Sequence, residues 1–456
     1  MRIIFVVILS LLLLSTASKA QQLTVHEWGT FTTLHGSSGG TLSGLYLEEE
    51  QLPSFVYHFP GFSPDTGIGV MPCKGVTVKM ETPVLYFYSA GQQQVHVRVG
   101  FPHGIISQWY PNRSAGEDTP AGDTLNLDGA ERTGLIEWNA TVLDPTTTEQ
   151  LTQTGSDVTA KWYAPRMTDA NLVKNGMGEI EKYLFYRGLA NFSLPVTASF
   201  VSDKLVVLAN TSSDTIPFIY VYDHTDQSSM KIWATGPLSP GESRQLSTPS
   251  TTYASGDQSA PEYIEFGKAL IKAGLTDKEA AAMLQTWQDG YFQTIGFKVF
   301  WVVPRKLTDQ ILPLSITPTP SSVERVLVGK TEILTAKFEQ ELLAYYKQNG
   351  NLDQWKGDRY YAAYSERVKQ LTAAEAVQVL KNGSEPAIFP NPATSNVQLL
   401  GFTGTVTVRN LLGEAVGRIA SSNGNAEFDV RNLTPGLYFV FGRSGRGTAT
   451  AKFVKQ

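Results

Sequence analysis

The sequence predicts a multidomain, mainly β protein. A β-sandwich-like N-terminal domain is expected over residues 21–255, a helix-rich segment packed on it over 256–383, and a small C-terminal β-sandwich over 384–456. Three observations point there. Apolar and polar residues alternate at period two through much of the first 255 positions, the pattern of half-buried strands. Near Ser255 the period changes to 3.6 and helix start and stop signals appear. Beyond the turn-rich linker at 382–386, short alternating runs return, separated by Asn, Gly and Pro.

At the start, Met1-Arg2 is basic and residues 3–14 are apolar, too short a run to span a bilayer with ease. Ser18 and Ala20 are small residues at −3 and −1 of a cut after Ala20, so residues 1–20 read as a secretory signal peptide. No later stretch is long and apolar enough for a transmembrane helix, so none is expected in the mature chain.

Residues 24–32 favour a strand through their β-branched and aromatic content. Alternation puts His26, Trp28 and Thr30 on one face and Val25, Glu27 and Phe31 on the other, so His26 and Glu27 diverge. Residues 36–44 are a Ser/Gly loop, and Glu48-Glu49-Glu50 form a solvated acidic face or a cation site. Pro83 interrupts the run 76–88, which implies an edge, a bulge or two strands. Residues 95–101 alternate with His96 and Arg98 on the wetter side, and His103 falls at the strand end. Further strands are expected at 135–142, 161–163, 182–186, 196–201, 205–208 and 218–222, with His224 in a hydrated loop.

Pro261 suits the first position of a helix that Gly274 stops. Thr276 and Glu279 have capping-box spacing, and Ala280, Met283, Leu284, Trp287 and Tyr291 share the next helical face. Residues 297–303 read as a buried strand and 326–328 as another. Thr335 is the expected cap of the helix carrying Phe338, Leu342, Tyr345 and Tyr346, and Thr372 with Glu375 suggests a second capping box.

The 456 residues suit two or three domains. A net charge of −5 without a basic block argues against nucleic acid as a partner. Cys73 is the only cysteine, so an intrachain disulfide is impossible; it reads as a small buried hydrophobe.

The strong catalytic motifs are missing: there is no His-Glu-x-x-His, no Gly-x-Ser-x-Gly, no P-loop and no dinucleotide fingerprint after a strand. Five of the six histidines precede residue 104. His26, His58 and His103, with Glu81 or a carboxylate of 48–50, are candidate ligands of a divalent metal; the alternative is separately satisfied histidines. Glu81 borders an aromatic strand, where burial would raise its pKa and suit it to general acid catalysis; the alternative is a carboxylate paired with Lys79, Arg98 or Arg166. Trp28, Trp109, Tyr110 and Trp138 are candidates for a sugar platform, and core packing explains them equally well.

Two resemblances follow from particular residues. Pro390-Asn391-Pro392-Ala393, Asn410 and Gly413, Leu433-Thr434-Pro435-Gly436-Leu437-Tyr438 and the terminal Lys455 occur in order. They resemble the type A C-terminal sorting domain of the Bacteroidetes type IX secretion system. The resemblance implies export via the periplasm and across the outer membrane by that machinery, then removal of the domain with release or surface attachment. His26-Glu27-Trp28-Gly29-Thr30-Phe31-Thr32, the run 80–88 and Arg325-Val326-Leu327-Val328-Gly329-Lys330 resemble an uncharacterised family of secreted bacterial proteins, which implies one integrated unit over 24–340 and no particular activity. The expected function is a secreted or cell-surface glycan- or polymer-binding protein; the alternatives are a secreted hydrolase, metal-dependent in one version, and a structural or adhesion component of the envelope.

Overall fold

The computed structural model describes residues 22–47, 52–59, 72–118, 125–129, 132–155, 160–202, 204–255, 257–382, 386–421, 424–444 and 447–456. The expected signal peptide and Glu48–Glu50 lie outside them. Strands hold 46% of the chain and helices 19%, so it is mainly β. Two compact units divide it, residues 1–341 with 352–364, and residues 342–351 with 365–456.

The first unit is organised around a ten-stranded sheet. Its order is Tyr253–Ala254, Ser229–Thr235, Ile219–Asp226, Gly296–Val302, Ser322–Ile333, Leu23–His35, Val78–Ser89, Leu184–Ala190, Gly104–Tyr110 and Tyr57–His58. Leu23–His35 sits in the middle and is buried at every position but Thr24. It pairs in parallel with Ser322–Ile333 and antiparallel with Val78–Ser89. The change of period near residue 255 therefore marks where helices are inserted, not where the sheet ends: the next strand, Gly296–Val302, pairs with Ile219–Asp226 on one side and Ser322–Ile333 on the other.

Pro83 does not end its strand. Val78–Ser89 runs through it in the sheet interior, and a bulge absorbs the missing N–H: the register shifts opposite Trp28/Thr30, and Thr82 takes φ 55°. Gly29 faces this bulge, and a Cβ there would stand 2.9 Å from the Pro83 Cα.

One face of the sheet packs on a second sheet containing Gln93–Pro102 and Thr133–Val142. Phe31 stacks on Phe101, and Trp138 meets Tyr186, so the N-terminal part is sandwich-like. The helices Pro261–Ala273 and Asp277–Trp287 bring Phe266, Met283 and Trp287 into one apolar cluster with Tyr220 and Phe300 of the large sheet. Pro261 and Gly274 bound the first helix, and Thr276 and Glu279 form the expected capping box on the second.

Three local expectations need correction. Residues 161–163 belong to a helical turn, Ala160–Tyr163; three residues carry too little alternation to identify a strand, and Pro165 favours the helical turn that follows. Thr372 starts no helix. It lies inside Tyr361–Asn382 and donates to the Val368 carbonyl one turn back, 2.8 Å, as mid-helix threonines do. His224 is not in a hydrated loop: it is 1% exposed on Ile219–Asp226, with its ring between the Thr294 carbonyl and Ser255 Oγ.

The second unit ends in a small sandwich. One sheet is Ala387–Phe389, Asn396–Leu400 and Asn425–Asp429; the other is Ala415–Ser421, Thr403–Arg409, Gly436–Ser444 and Gly447–Lys455. Val397, Leu399, Phe402, Val406, Val408, Val440 and Phe453 fill the space between. Among the described residues, no helix is long and apolar enough to cross a membrane.

Candidate functional site

The register of the large sheet places a row of charged side chains on neighbouring strands. Lys298 lies opposite Glu332, Thr32 opposite Lys330, and Thr32 also opposite Lys79. Residues two apart share a face, so Lys79 and Glu81 project together, as do Lys330 and Glu332. All of these except Thr32 are charged, and all are buried.

Glu81 is the hub. Thr32 Oγ1 donates to its Oε2 at 2.5 Å and Tyr291 OH to the same oxygen at 2.8 Å. Arg359 Nη2 donates to Oε1 at 2.5 Å, and Lys79 Nζ stands 3.7 Å from that oxygen. Burial alone would push this carboxyl up. Arg359, Lys330, Lys79 and Arg187 reverse the effect and hold it well below the usual carboxylate range. The direction is opposite to the raised pKa that the expected general-acid role called for. The paired alternative is the one observed, with Lys79 among its partners.

Next along the row, Lys330 Nζ donates to Glu332 Oε1 at 2.7 Å and lies 3.9 Å above the Tyr291 ring. Tyr360 OH donates to the same Glu332 oxygen, 2.7 Å. Burial raises the Glu332 pKa, but Lys330, Lys298 and Arg359 bring it down to about 2.

Glu332 and Tyr360 also border a cavity of about 620 Å³, within the range of small-molecule sites. Phe200, Phe297, Phe338, Trp355, Tyr360 and Tyr364 supply its aromatic walls. Asp223, Glu341 and Asp358 add carboxylates, and Lys337 is the cation among the described lining residues, with Lys298 Nζ 3.5 Å from where a Cβ would stand on Gly296. The arrangement offers ring faces for apolar or cationic surfaces and acceptors for hydroxyl or ammonium donors.

The expected metal ligands are not brought together. His26 Nδ1 is 2.9 Å from Glu279 Oε2, and Tyr88 OH donates to the other oxygen of that carboxylate, 2.6 Å. His58 Nδ1 donates to the Phe59 carbonyl, 2.9 Å. His103 is exposed in a tight turn at φ 60°; its N–H reaches the Arg132 carbonyl, 2.6 Å. Among the described residues, no group of three or more His, Cys, Asp or Glu side chains is placed to hold a metal ion. Cys73 is buried, and burial pushes its thiol up to about 12.

The expected sugar platform does not reach the surface. Trp28, Tyr110 and Trp138 are fully buried and Trp109 is 6% exposed under the Arg113 guanidinium. Their alternation identified them as core as readily as a platform.

Sequence reasoning passed over Glu332, Arg359 and Tyr360, and it named Glu279 only as a helix cap and Arg325 only within a motif. A signal existed for two of them: Arg325 and Glu332 are charges inside a buried strand, where pairing is obligatory. Arg325 Nε meets Glu27 Oε2 at 2.5 Å, and its Nη1 reaches Asp309 at 2.8 Å. Arg359 and Tyr360 come from an irregular loop, which has no period to read.

In the C-terminal sandwich the motif residues from both ends of the module meet. Asn391 Oδ1 accepts the Val454 N–H, 2.9 Å, and its Nδ2 donates to the Lys452 carbonyl, 3.2 Å. Ala393 bridges to Lys455 in parallel, and its N–H and C=O pair with Val454 and Gln456 at 2.8 and 2.9 Å. Tyr438 stacks on Phe453 at 5.4 Å, and its OH donates to the Thr434 carbonyl, 2.8 Å, across the Pro435-Gly436 turn. Gly413, φ 82°, closes the hairpin turn after Asn410, a conformation a side chain would strain.

No curated protein matches the chain. Solved structures resemble it only distantly. A yeast delta-COP-I mu-homology domain is 8% identical with a TM-score of 0.24, covering 69% of this chain and 98% of that one. A bacterial ice-binding adhesin is 9% identical at TM-score 0.13, covering 82% and 88%. A Bacteroides uniformis beta-glucuronidase is 8% identical at TM-score 0.15, covering 82% and 74%. At such scores none of them informs the activity. One family model does match, described as a secretion system C-terminal sorting domain, over residues 387–456. The chain thus carries a type IX secretion sorting tail behind its large β-rich unit, which marks it for secretion or display at the outer surface.

Proposed function

We propose that the first unit is an extracellular glycan-binding module, delivered by the type IX machinery. In this reading residues 1–20 direct the chain into the periplasm and are cut off after Ala20. The sorting tail then takes it across the outer membrane and is removed, leaving the body released or surface-attached. The observation that carries the binding role is the cavity beside Glu332, where aromatic walls and carboxylates converge. Pyranose rings present C–H faces to aromatics and hydroxyl donors to carboxylates. The buried network from Lys79 to Tyr360 joins this cavity through Glu332 and Tyr360, which line it.

Export is tested by removing residues 387–456 and assaying the outside of the cell. The truncated chain is expected to stay inside; its appearance in the medium in normal amounts would sink the export reading. Binding is tested by calorimetric titration of the purified chain with neutral and amino saccharides. Heat of binding that Tyr360→Ala abolishes is the expected result.

A further inference from the structure

We propose that the outer face of the four-stranded sheet in the sorting tail is a docking surface, and that its occupant is an acidic protein surface, studded with apolar side chains, on the export machinery. The inference rests on the tail being the part which that machinery reads.

Charge is the first ground. The strands Ala415–Ser421, Thr403–Arg409, Gly436–Ser444 and Gly447–Lys455 contain no Asp or Glu. Their cations are Arg409, Arg418, Arg443, Lys452 and Lys455, of which Lys455 is buried. Val406, Val408, Val440 and Phe453 turn into the core, so alternation turns the other four cations to the outside. The register agrees: Arg418 lies opposite Thr407, Arg409 opposite Phe439, and Phe439 opposite Lys452. Among the described residues Arg418, Arg443 and Lys452 form no ion pair. Arg409 donates to the Gly413 carbonyl and lies 5.9 Å from the Phe441 ring centroid. Glu414, the acid next in sequence, sits in the hairpin turn and is held by Asn410 Nδ2, 2.8 Å. The whole chain carries a net charge of −5, so this face runs against the balance of the molecule.

The second ground is the apolar pattern. The solvent face of an antiparallel sheet is ordinarily polar. Here Leu437, Phe439 and Phe441 alternate with the inward Tyr438 and Val440, and Val454 stands opposite Leu437 on the same outer face. Phe441 is 38% exposed and Val454 39%. Phe439 stands between Arg409 and Lys452, cations roughly 10 Å apart across two strand spacings. At this end of the sheet Leu411 and Leu412, 69% and 83% exposed, occupy the middle of the turn from Asn410 to Gly413. The turn calls for Asn410 and Gly413, and not for leucine between them. Rings and arginines together are the composition of a protein–protein contact, and unopposed cations select an acidic partner. The cations stand at fixed register positions with rings between them. A partner of fixed shape can match that spacing, whereas a fluid lipid surface needs none.

Two measurements on the full chain test this. In the first, a fluorescent Glu/Tyr copolymer is titrated with the parent and with the triple variant Arg418→Glu/Arg443→Glu/Lys452→Glu. A Lys/Tyr copolymer and phosphatidylglycerol vesicles are the controls. The Glu/Tyr copolymer is expected to bind, to weaken with added salt, and to lose at least about tenfold in affinity for the triple variant. Arg418→Lys/Arg443→Lys, which keeps the charge, should bind as the parent does. Failure of the Glu/Tyr copolymer to bind, equal binding of both copolymers, or undiminished binding by the triple variant would overturn the proposal. Vesicle binding with the copolymer silent would replace the protein occupant by a lipid one. In the second measurement, secretion of the triple variant by the producing cell should fall at least about tenfold, with hydrogen-exchange protection of Thr403–Arg409 unchanged so that misfolding is excluded. Secretion at the parental level would overturn the proposal. Should removal of residues 387–456 still block export in that case, the tail keeps its sorting role and only this face is excluded.

Discussion

Arg359 reaches Glu81 across 278 positions of chain and closes on it at 2.5 Å, with both side chains more than nine-tenths buried. The residue sits in the loop just before Tyr361–Asn382, so a segment with no regular structure of its own is tied to the middle of the large sheet. Removing Glu81 leaves Arg359, Lys79 and Lys330 without their shared carboxylate, whereas removing Arg359 leaves Glu81 with Lys79, Thr32 and Tyr291. Glu81→Leu is expected to cost about 3–5 kcal/mol and Arg359→Ala less. Urea unfolding of the two variants checks this; a Glu81→Leu variant as stable as the parent would show that the cluster contributes nothing.

Acid sensitivity should come in two stages. Burial lowers His35 from its ordinary 6.5 to about 4, only partly opposed by a backbone hydrogen bond at Ala198. The unfolded chain takes up that proton first, so this contribution is intact above pH 6.5 and is lost as pH falls from 6.5 to 4. Glu332, lowered from 4.5 to about 2, contributes fully above pH 4.5 and loses its share as pH falls through 2. His35→Gln should flatten the upper stage only and Glu332→Gln the lower one only. Denaturant midpoints measured across pH 7 to 2 separate them.

Glu279 does two jobs, closing the capping box on Thr276 and accepting from His26 and Tyr88 on the sheet. Thr276→Ala should therefore cost about 1 kcal/mol, the usual value of a cap. Glu279→Ala should cost about 3 kcal/mol, because it also leaves buried groups without a partner. Equal melting temperatures for the two variants would mean that the sheet contacts carry no weight.

Gly329 lies under the Trp301 indole, where an added Cβ would approach ring carbons to 2.1 Å. Gly329→Ala is expected to destabilise the fold by about 1–3 kcal/mol through overpacking, with a changed near-ultraviolet signal from the displaced tryptophan. Trp301→Leu in the same chain should restore part of the loss.

Asn391 fastens the start of the sorting domain to its last strand. Asn391→Ala should expose the Val454 amide to rapid hydrogen exchange while amides of Thr403–Arg409 stay protected, and export should fall. Unchanged protection at Val454 would show that the backbone bridge at Ala393 suffices.

Much of the β architecture could be read because half-buried strands advertise themselves. Residues 95–101 alternate in sequence and in burial, and 24–32 were recognisable by β-branched and aromatic content. The sorting tail was legible for a different reason: its turns demand Asn, Gly and Pro at set places, and Asn391, Gly413 and Gly436 stand there. The cavity was not legible. Its walls come from the strands Gly296–Val302 and Ser322–Ile333 and from loop residues near 355–360, which only the sheet order brings together. Glu81 shows the limit most clearly. Its burial could be inferred from Met80 and the aromatic run beside it, but the cation that sets its charge state stands 278 residues away.

The parallel pairing of Leu23–His35 with Ser322–Ile333 imposes an order in time. At roughly 5–20 residues per second of synthesis, the partner of the central strand emerges some 15–60 seconds after it. Through that interval an apolar, β-branched segment has one edge of its ladder vacant, and the sheet cannot close by any local route. Pairing with Val78–Ser89 can form early, whereas the other edge of the central strand waits for the C-terminal end of the unit.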